Sequence, residues 1–197
     1  MLDAVRYYVA LLFVALFPGA ILYWFSIHPF IRFWRRLGMP RTYWIHGTAI
    51  FLLATAIFLS RGRLLRVQFG TNPILIGVAV PLFAASAALR PAISRQLTQR
   101  ILTGRPEIDP RAYENHLLTE GIYAHIRHPR YAQLLLAAMA FALFTNYLAS
   151  YGVFLLYLIC LVPLVRLEER ELLDRFGKPY EDYSARIPRF IPKFRAR

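Results

Sequence analysis

Five long apolar runs, separated by stretches that hold nearly all of the charge, constrain this 197-residue chain more than any other feature. They fall at about 5–25, 43–59, 73–89, 131–147 and 151–165. Hydrocarbon offers the backbone no hydrogen-bond partner, so a run of about 20 apolar residues is stable there only as a helix that satisfies its own N–H and C=O groups. The predicted fold is therefore all-α, a polytopic membrane helical bundle with about five transmembrane helices. A hydrophobic content of 57% and a mean hydropathy of +0.41 agree with that and exclude a charge-rich disordered chain. Pro18 and Gly19 lie inside the first run and Pro81 inside the third, where a membrane helix tolerates a kink. Tyr7, Tyr8, Tyr23, Trp24, Tyr43, Trp44, Tyr147 and Tyr151 cluster near the run ends, the depth at which amphipathic rings anchor. The first run lacks a strongly basic leader and a small-residue cleavage site, so it is read as a retained span.

The net charge of +13 raises the question of nucleic acid, but the basic residues are placed for a membrane. All but Lys178 and Lys193 are arginines. They occupy 32–41, the long segment 90–130 and the C-terminal tail, while the turn at 145–152 has no charge. The positive-inside rule then puts the long segment and the C-terminus in the cytoplasm and, with five spans, the N-terminus outside. Arg61, Arg63 and Arg66 oppose this, because they fall on the outer side. Cys160, the sole cysteine, excludes an intrachain disulfide.

Residues 1–197 read as one domain, with an N-terminal scaffold over 1–90 and a chemically equipped half over 91–197. The second half begins with a cytoplasmic excursion carrying a predicted helix at 92–102. The fifth helix is predicted to run on to Phe176, stop at Gly177-Lys178-Pro179 and be followed by a short helix at 180–186. Glu171 and Arg175, four apart, are expected to form a solvated helix pair. His28 and His46 are read as interfacial or packed residues.

His125 and His128 have a spacing that two metal ligands could share, but a zinc site needs three or four ligands, and Pro129 biases His128 away from helical geometry. No metal is expected. Neither a phosphate-binding glycine loop, nor a dinucleotide fingerprint, nor a nucleophile–base triad is present. What remains is a polar collar. His116, Tyr123, Arg127, His128 and Tyr131 precede the fourth run, and Arg166, Glu168 and Glu169 come after the fifth. An antiparallel hairpin with a short turn brings both groups to one membrane face.

The pattern His116-Leu-Leu118-x-x-Gly121-x-Tyr123-x-x-x-Arg127-His128-Pro129-x-Tyr131, then Glu168-Glu169, Phe176-Gly177-x-x-Tyr180-x-x-Tyr183 and Pro188-Arg189-Phe190-Ile191-Pro192, resembles the isoprenylcysteine carboxyl methyltransferases. That family belongs to a wider group of membrane methyltransferases that includes phospholipid N-methyltransferases. The resemblance covers about 115–194 and implies S-adenosylmethionine held at the cytoplasmic face. It implies that His116, Leu118, Gly121, Tyr123, His128, Pro129 and Tyr131 shape the cofactor pocket, and that Glu168 and Glu169 accept its hydrogen bonds. Arg166, with Arg127 as a second cation, would orient an anionic acceptor. A carboxylate acceptor needs no base; an amine or thiol must lose a proton, which His128 or Glu168 would take. The acceptor is expected to be amphiphilic or lipophilic: an isoprenylcysteine-type carboxylate, a phospholipid amine or a thiol. Arg130 stands where the family often has Met, and Ala132-Gln133 replaces a small, Gly-containing step, so the acceptor stays open. Two rivals stand beside this: a sterol-type reductase, which shares the Arg-His-Pro-x-Tyr turn but uses a nicotinamide cofactor, and a non-enzymatic membrane regulator.

Overall fold

The computed structural model describes residues 1–97, 104–109 and 116–192. Its principal helices are α1 (Leu2–Ile27), α2 (Ile31–Leu37), α3 (Met39–Leu59), α4 (Pro73–Ser94), α5 (Pro129–Thr145), α6 (Leu148–Phe176) and α7 (Lys178–Arg186), with single helical turns at Arg61–Leu64 and Arg105–Ile108. By length and composition α1, α3, α4 and α6 can each cross a membrane. The fourth predicted span became α5, whose 17 residues place it at the short limit for a crossing. The chain is an all-helical, polytopic integral membrane protein. The helix predicted at 92–102 starts inside the last turn of α4, and its remainder lies outside the described residues. The continuation of α6 to Phe176 and the short helix after it are present as expected.

Exposed apolar side chains girdle the bundle, among them Leu12, Leu16, Leu22, Phe51, Leu52, Ile74, Val80, Leu155, Ile159 and Val162. An apolar belt of this extent is a liability in water and the expected surface in lipid. Inside it, Ala10, Phe13, Val14 and Ile21 of α1 pack against Tyr131 and Ala138 of α5 and Val153, Tyr157, Leu161, Leu164 and Val165 of α6. Gly19 permits the close approach of α3, since a Cβ there would stand 3.0 Å from the Ile50 side chain. Ser86 of α4 donates to the Gln133 carbonyl of α5 at 3.2 Å, and Phe83 meets Phe141 edge-on at 4.8 Å between ring centres.

Helices α5 and α6 form an antiparallel hairpin because Asn146 takes the left-handed conformation, φ 55°, that stops the first helix. The turn is sewn to the segment after the Arg61–Leu64 helical turn. Phe69 N–H donates to the Asn146 carbonyl at 3.0 Å, and Leu148 N–H to the Val67 carbonyl at 3.1 Å. The Asn146 side chain donates to the Gly70 carbonyl at 2.9 Å. Arg6, fully buried, donates twice to the Thr145 carbonyl at 3.1 and 2.8 Å, and also to Asp3 at 2.7 Å and Thr71 at 2.9 Å. The start of α1, the 65–72 segment and the hairpin turn thus close one end of the bundle. Arg61, Arg63 and Arg66 precede or enter that segment, so the basic residues that opposed the topology do lie toward the turn end.

Candidate functional site

The opposite end assembles where α1 and α4 finish, α5 begins and α6 emerges. Gly121, at φ +56°, opens the approach as the first residue of a 3-10 turn, Gly121–Ala124. A side chain there would be strained and would collide with the Gln96 amide at the end of α4, so the glycine is required by backbone geometry. His128 caps α5 from a non-helical conformation, φ −124° and ψ 57°, as the following Pro129 requires. The C-terminal strap then lies across this turn. Arg127 N–H donates to the Pro188 carbonyl at 2.8 Å, His128 N–H to the Arg189 carbonyl at 3.0 Å, and the Tyr183 hydroxyl to the Tyr123 carbonyl at 2.7 Å. The Pro-Arg-Phe-Ile-Pro tail is therefore part of the collar's framework.

The two adjacent glutamates of α6 have different surroundings. Glu169 is saturated. Arg127 Nη1 reaches its Oε1 at 2.9 Å and His128 Nε2 the same oxygen at 3.1 Å, while Arg189 forks across both oxygens at 2.6 to 3.1 Å. Two guanidinium groups and an imidazole hold it as a carboxylate. With Nε2 engaged by Glu169, the other ring nitrogen of His128, Nδ1, is turned to Glu168 Oε2 at 3.9 Å. Glu168 is the unsaturated partner: its Oε2 is buried with no hydrogen-bond partner among the described residues. Its carboxylate lies against the Tyr131 hydroxyl and within electrostatic reach of Tyr123, Arg130 and Tyr157.

A residue from outside the motif joins them. His28, directly after α1, is buried and stacked on Trp24 with ring centres 5.2 Å apart, and neither ring nitrogen has a partner among the described residues. Burial lowers its pKa below the ordinary 6.5, against the opposing pull of Glu168, so the ring is neutral at pH 7. The reading of His28 as interfacial or packed missed its proximity to Glu168 and His128. Its only sequence signal was its position at the end of an apolar run that faces the collar. Tyr180 and Tyr183 are held protonated, each pushed up to about 12 by burial.

The other predicted residues separate. Tyr123, His128, Pro129 and Tyr131 are buried at the collar. Leu118 is half-buried, and His116 is exposed. Arg127 is committed to Glu169. Arg166 is exposed and enters no ion pair with the glutamates next to it. Glu171 overturns the expectation of a solvated pair: it is buried between Arg175 at 3.5 Å and Arg35 of α2 at 3.6 Å, so it ties α2 to α6.

Beside the collar a cavity of about 450 Å³ opens between α1, α5 and α6. Leu12, Phe13, Leu16, Phe17 and Trp24 line it from α1, Tyr131 and Leu134 from α5, and Tyr157 and Leu164 from α6. Arg130 is the one charged side chain among its lining residues. The cavity size is that of small-molecule sites.

A family model for phospholipid methyltransferases matches residues 75–179, just over half of the chain. The chain belongs to the phospholipid methyltransferase family. The match runs from the start of α4 through the hairpin to the beginning of α7, and it includes the whole of the collar except His28 and the strap. A protein-S-isoprenylcysteine O-methyltransferase of Schizosaccharomyces pombe is 35% identical over 81 residues, 40% of this chain and 34% of that protein. A Delta(14)-sterol reductase of Mus musculus is 32% identical over 89 residues, 44% of this chain and 21% of the reductase. The chain thus spans about a third and about a fifth of these relatives. No solved structure matches.

Proposed function

We propose that this family member is an integral membrane methyltransferase that uses S-adenosylmethionine, with residues 1–197 acting as one domain. The observation that carries the reading is the pairing of a saturated Glu169 with an unsaturated, buried Glu168 oxygen, whose carboxylate lies against Tyr131 of the apolar cavity's lining. A buried carboxylate oxygen without a partner costs about 1–3 kcal/mol or more, a cost that a cationic ligand removes. The donor set fits this cofactor: Glu168 suits its cationic amino acid portion, His28 offers two ring nitrogens, and Tyr123 and Tyr131 supply aromatic walls. His116, Leu118 and Gly121 lie on the segment leading into the same turn and complete the pocket we assign. When bound, the cofactor supplies an electrophilic methyl group on sulfur.

The chain's own part is alignment and exclusion of water. The apolar cavity receives an amphiphilic or lipophilic acceptor from the bilayer, and α5 presents it to the collar. Where that acceptor bears a proton to be lost, His128 Nδ1, held in its tautomer by Glu169, is placed to take it, with Glu168 as the alternative. The acceptor classes are an isoprenylcysteine-type carboxylate, a phospholipid amine, a related lipid or a thiol, and the family's description names a phospholipid. We place the site and the C-terminus in the cytoplasm, because Arg32, Arg35, Arg36, Arg41, Arg127, Arg130, Arg170, Arg175, Lys178 and Arg189 crowd the collar end against Arg61, Arg63 and Arg66 at the other.

The match to a sterol reductase supports a second reading in which the same collar takes NADPH. Titration of the detergent-purified protein with each cofactor separates them. Saturable binding of S-adenosylmethionine and not NADPH is expected. Binding of NADPH alone overturns the proposal, and binding of neither favours a regulator.

A further inference from the structure

Three arginines lie within the two collar segments, 116–131 and 166–169, and the fold gives each a different fate. Arg127 is consumed by Glu169, and Arg166 is exposed. Arg130 is half-buried in the first turn of α5, and it is the single charged residue lining the 450 Å³ cavity. It forms no hydrogen bond and no close ion pair with a described residue. The groups it senses electrostatically are Glu168 and the hydroxyls of Tyr123, Tyr131 and Tyr157. A charge set against an apolar, membrane-level cavity is costly unless it meets a counter-ion, and such residues mark ligand paths. Glu168 alone cannot serve as that counter-ion and also hold a cationic cofactor portion.

We infer that Arg130 is the head-group recognition residue of the acceptor cavity, and that it selects a single-chain amphiphile with a carboxylate head over one with an amine head. The chemistry after binding rests on the methyltransferase reading, but the binding itself does not. The apolar wall from α1 takes the chain, and the guanidinium forks the carboxylate at the end nearest Glu168 and His128. An ammonium head would place like charge beside Arg130 in a low-dielectric site, which is strongly unfavourable. Arg130 is thus the device that turns a chain of the phospholipid methyltransferase family away from lipid amines. The role assigned to Arg166 from sequence moves to Arg130.

The test measures equilibrium binding of radiolabelled palmitate to purified protein in nanodiscs, with unlabelled palmitate, methyl palmitate and hexadecylamine as competitors. Cofactor titration is run on the same samples. Palmitate is expected to compete at least about tenfold better than the ester or the amine, and Arg130→Met should remove about that preference while the ester still competes. Arg130→Lys should retain part of it, which keeps the test decisive if the Met variant does not fold. Equal competition by the three heads in the wild type overturns the inference, as does a preference for hexadecylamine. A carboxylate preference that survives in Arg130→Met overturns it too, and would mean that Arg130 merely neutralises Glu168. A carboxylate preference that depends on Arg130, without S-adenosylmethionine binding, keeps this assignment and sinks the methyltransferase reading. Cofactor binding without the preference does the reverse.

Discussion

Both ends of the bundle bury charge, and they treat it in opposite ways. At the turn end Arg6 is fully enclosed and every branch of its guanidinium is occupied, by the Thr145 carbonyl, Asp3 and Thr71. At the collar end the half-buried Glu168 has an enclosed oxygen, and the buried His28 two ring nitrogens, without a hydrogen-bond partner among the described residues. A saturated network fastens elements together, whereas an unsaturated one is where we propose that a ligand binds, because an orphaned buried polar atom costs more than its hydrogen bond would contribute. Glu169, saturated yet within the collar, shows that the division runs residue by residue.

The strongest way to break this comparison is Arg6→Ala. Removing the cation that clamps α1 to the hairpin turn is expected to cost about 3 kcal/mol, read from thermal unfolding in detergent, with cofactor affinity of the folded fraction unchanged. Loss of affinity in step with stability would show that the turn end is not merely structural. Glu169→Ala comes next. It strands Arg127, His128 and Arg189, so about 2 kcal/mol of stability should go, together with hydrogen-exchange protection at the amides of Arg127 and His128. Preserved protection there would mean that the strap does not depend on this carboxylate.

Glu168→Gln is expected to behave oppositely. Its melting temperature should stay within a degree or two of wild type, since the isosteric amide keeps the contact with the Tyr131 hydroxyl, while S-adenosylmethionine affinity falls about tenfold, or 1.4 kcal/mol. Wild-type affinity would refute the pocket. The smallest effect concerns acidity. The buried His28 ring resists protonation, so below pH 6.5 the unfolded chain binds a proton that the folded one does not. Stability should therefore fall as pH drops from 7 toward the lowered folded value, by at most about 1.4 kcal/mol per unit, and Glu168, Arg175 and His128 are the neighbouring groups that set where it levels off. His28→Phe should flatten that dependence. An identical slope in the variant would assign the acid sensitivity to another group.

Much of the collar was legible in the chain because its parts are local. Pro129 dictates the cap at His128, and two apolar runs joined by an uncharged turn dictate a hairpin that brings Arg127–Tyr131 beside Glu168–Glu169. The assignment within the glutamate pair was not legible. Successive helix residues point about 100° apart, so Glu168 and Glu169 cannot share an environment, but nothing in their shared chemistry says which one Arg127 and Arg189 take. The face made by Tyr157, Leu161, Leu164 and Val165, continued by one turn, reaches Glu168 and Glu171 and leaves Arg166 outside. That face is invisible in the sequence because a membrane helix is apolar all round and carries no amphipathic mark of its buried side.

Sequence by itself determined that this chain lives in a bilayer, that its polar residues gather at helix ends, and that the two halves of the Arg-His-Pro-x-Tyr and Glu-Glu pattern meet. Those outcomes come from hydrophobicity, proline and turn geometry, which act over a few residues. Only the tertiary structure decided that Glu169 is framework while a Glu168 oxygen stays unpaired, that His28 reaches the collar from α1, that Glu171 is buried against Arg35, and that Arg130 rather than Arg166 lines the cavity. Each of these depends on the rotation of one helix against another, and that is set by packing between residues distant in the chain.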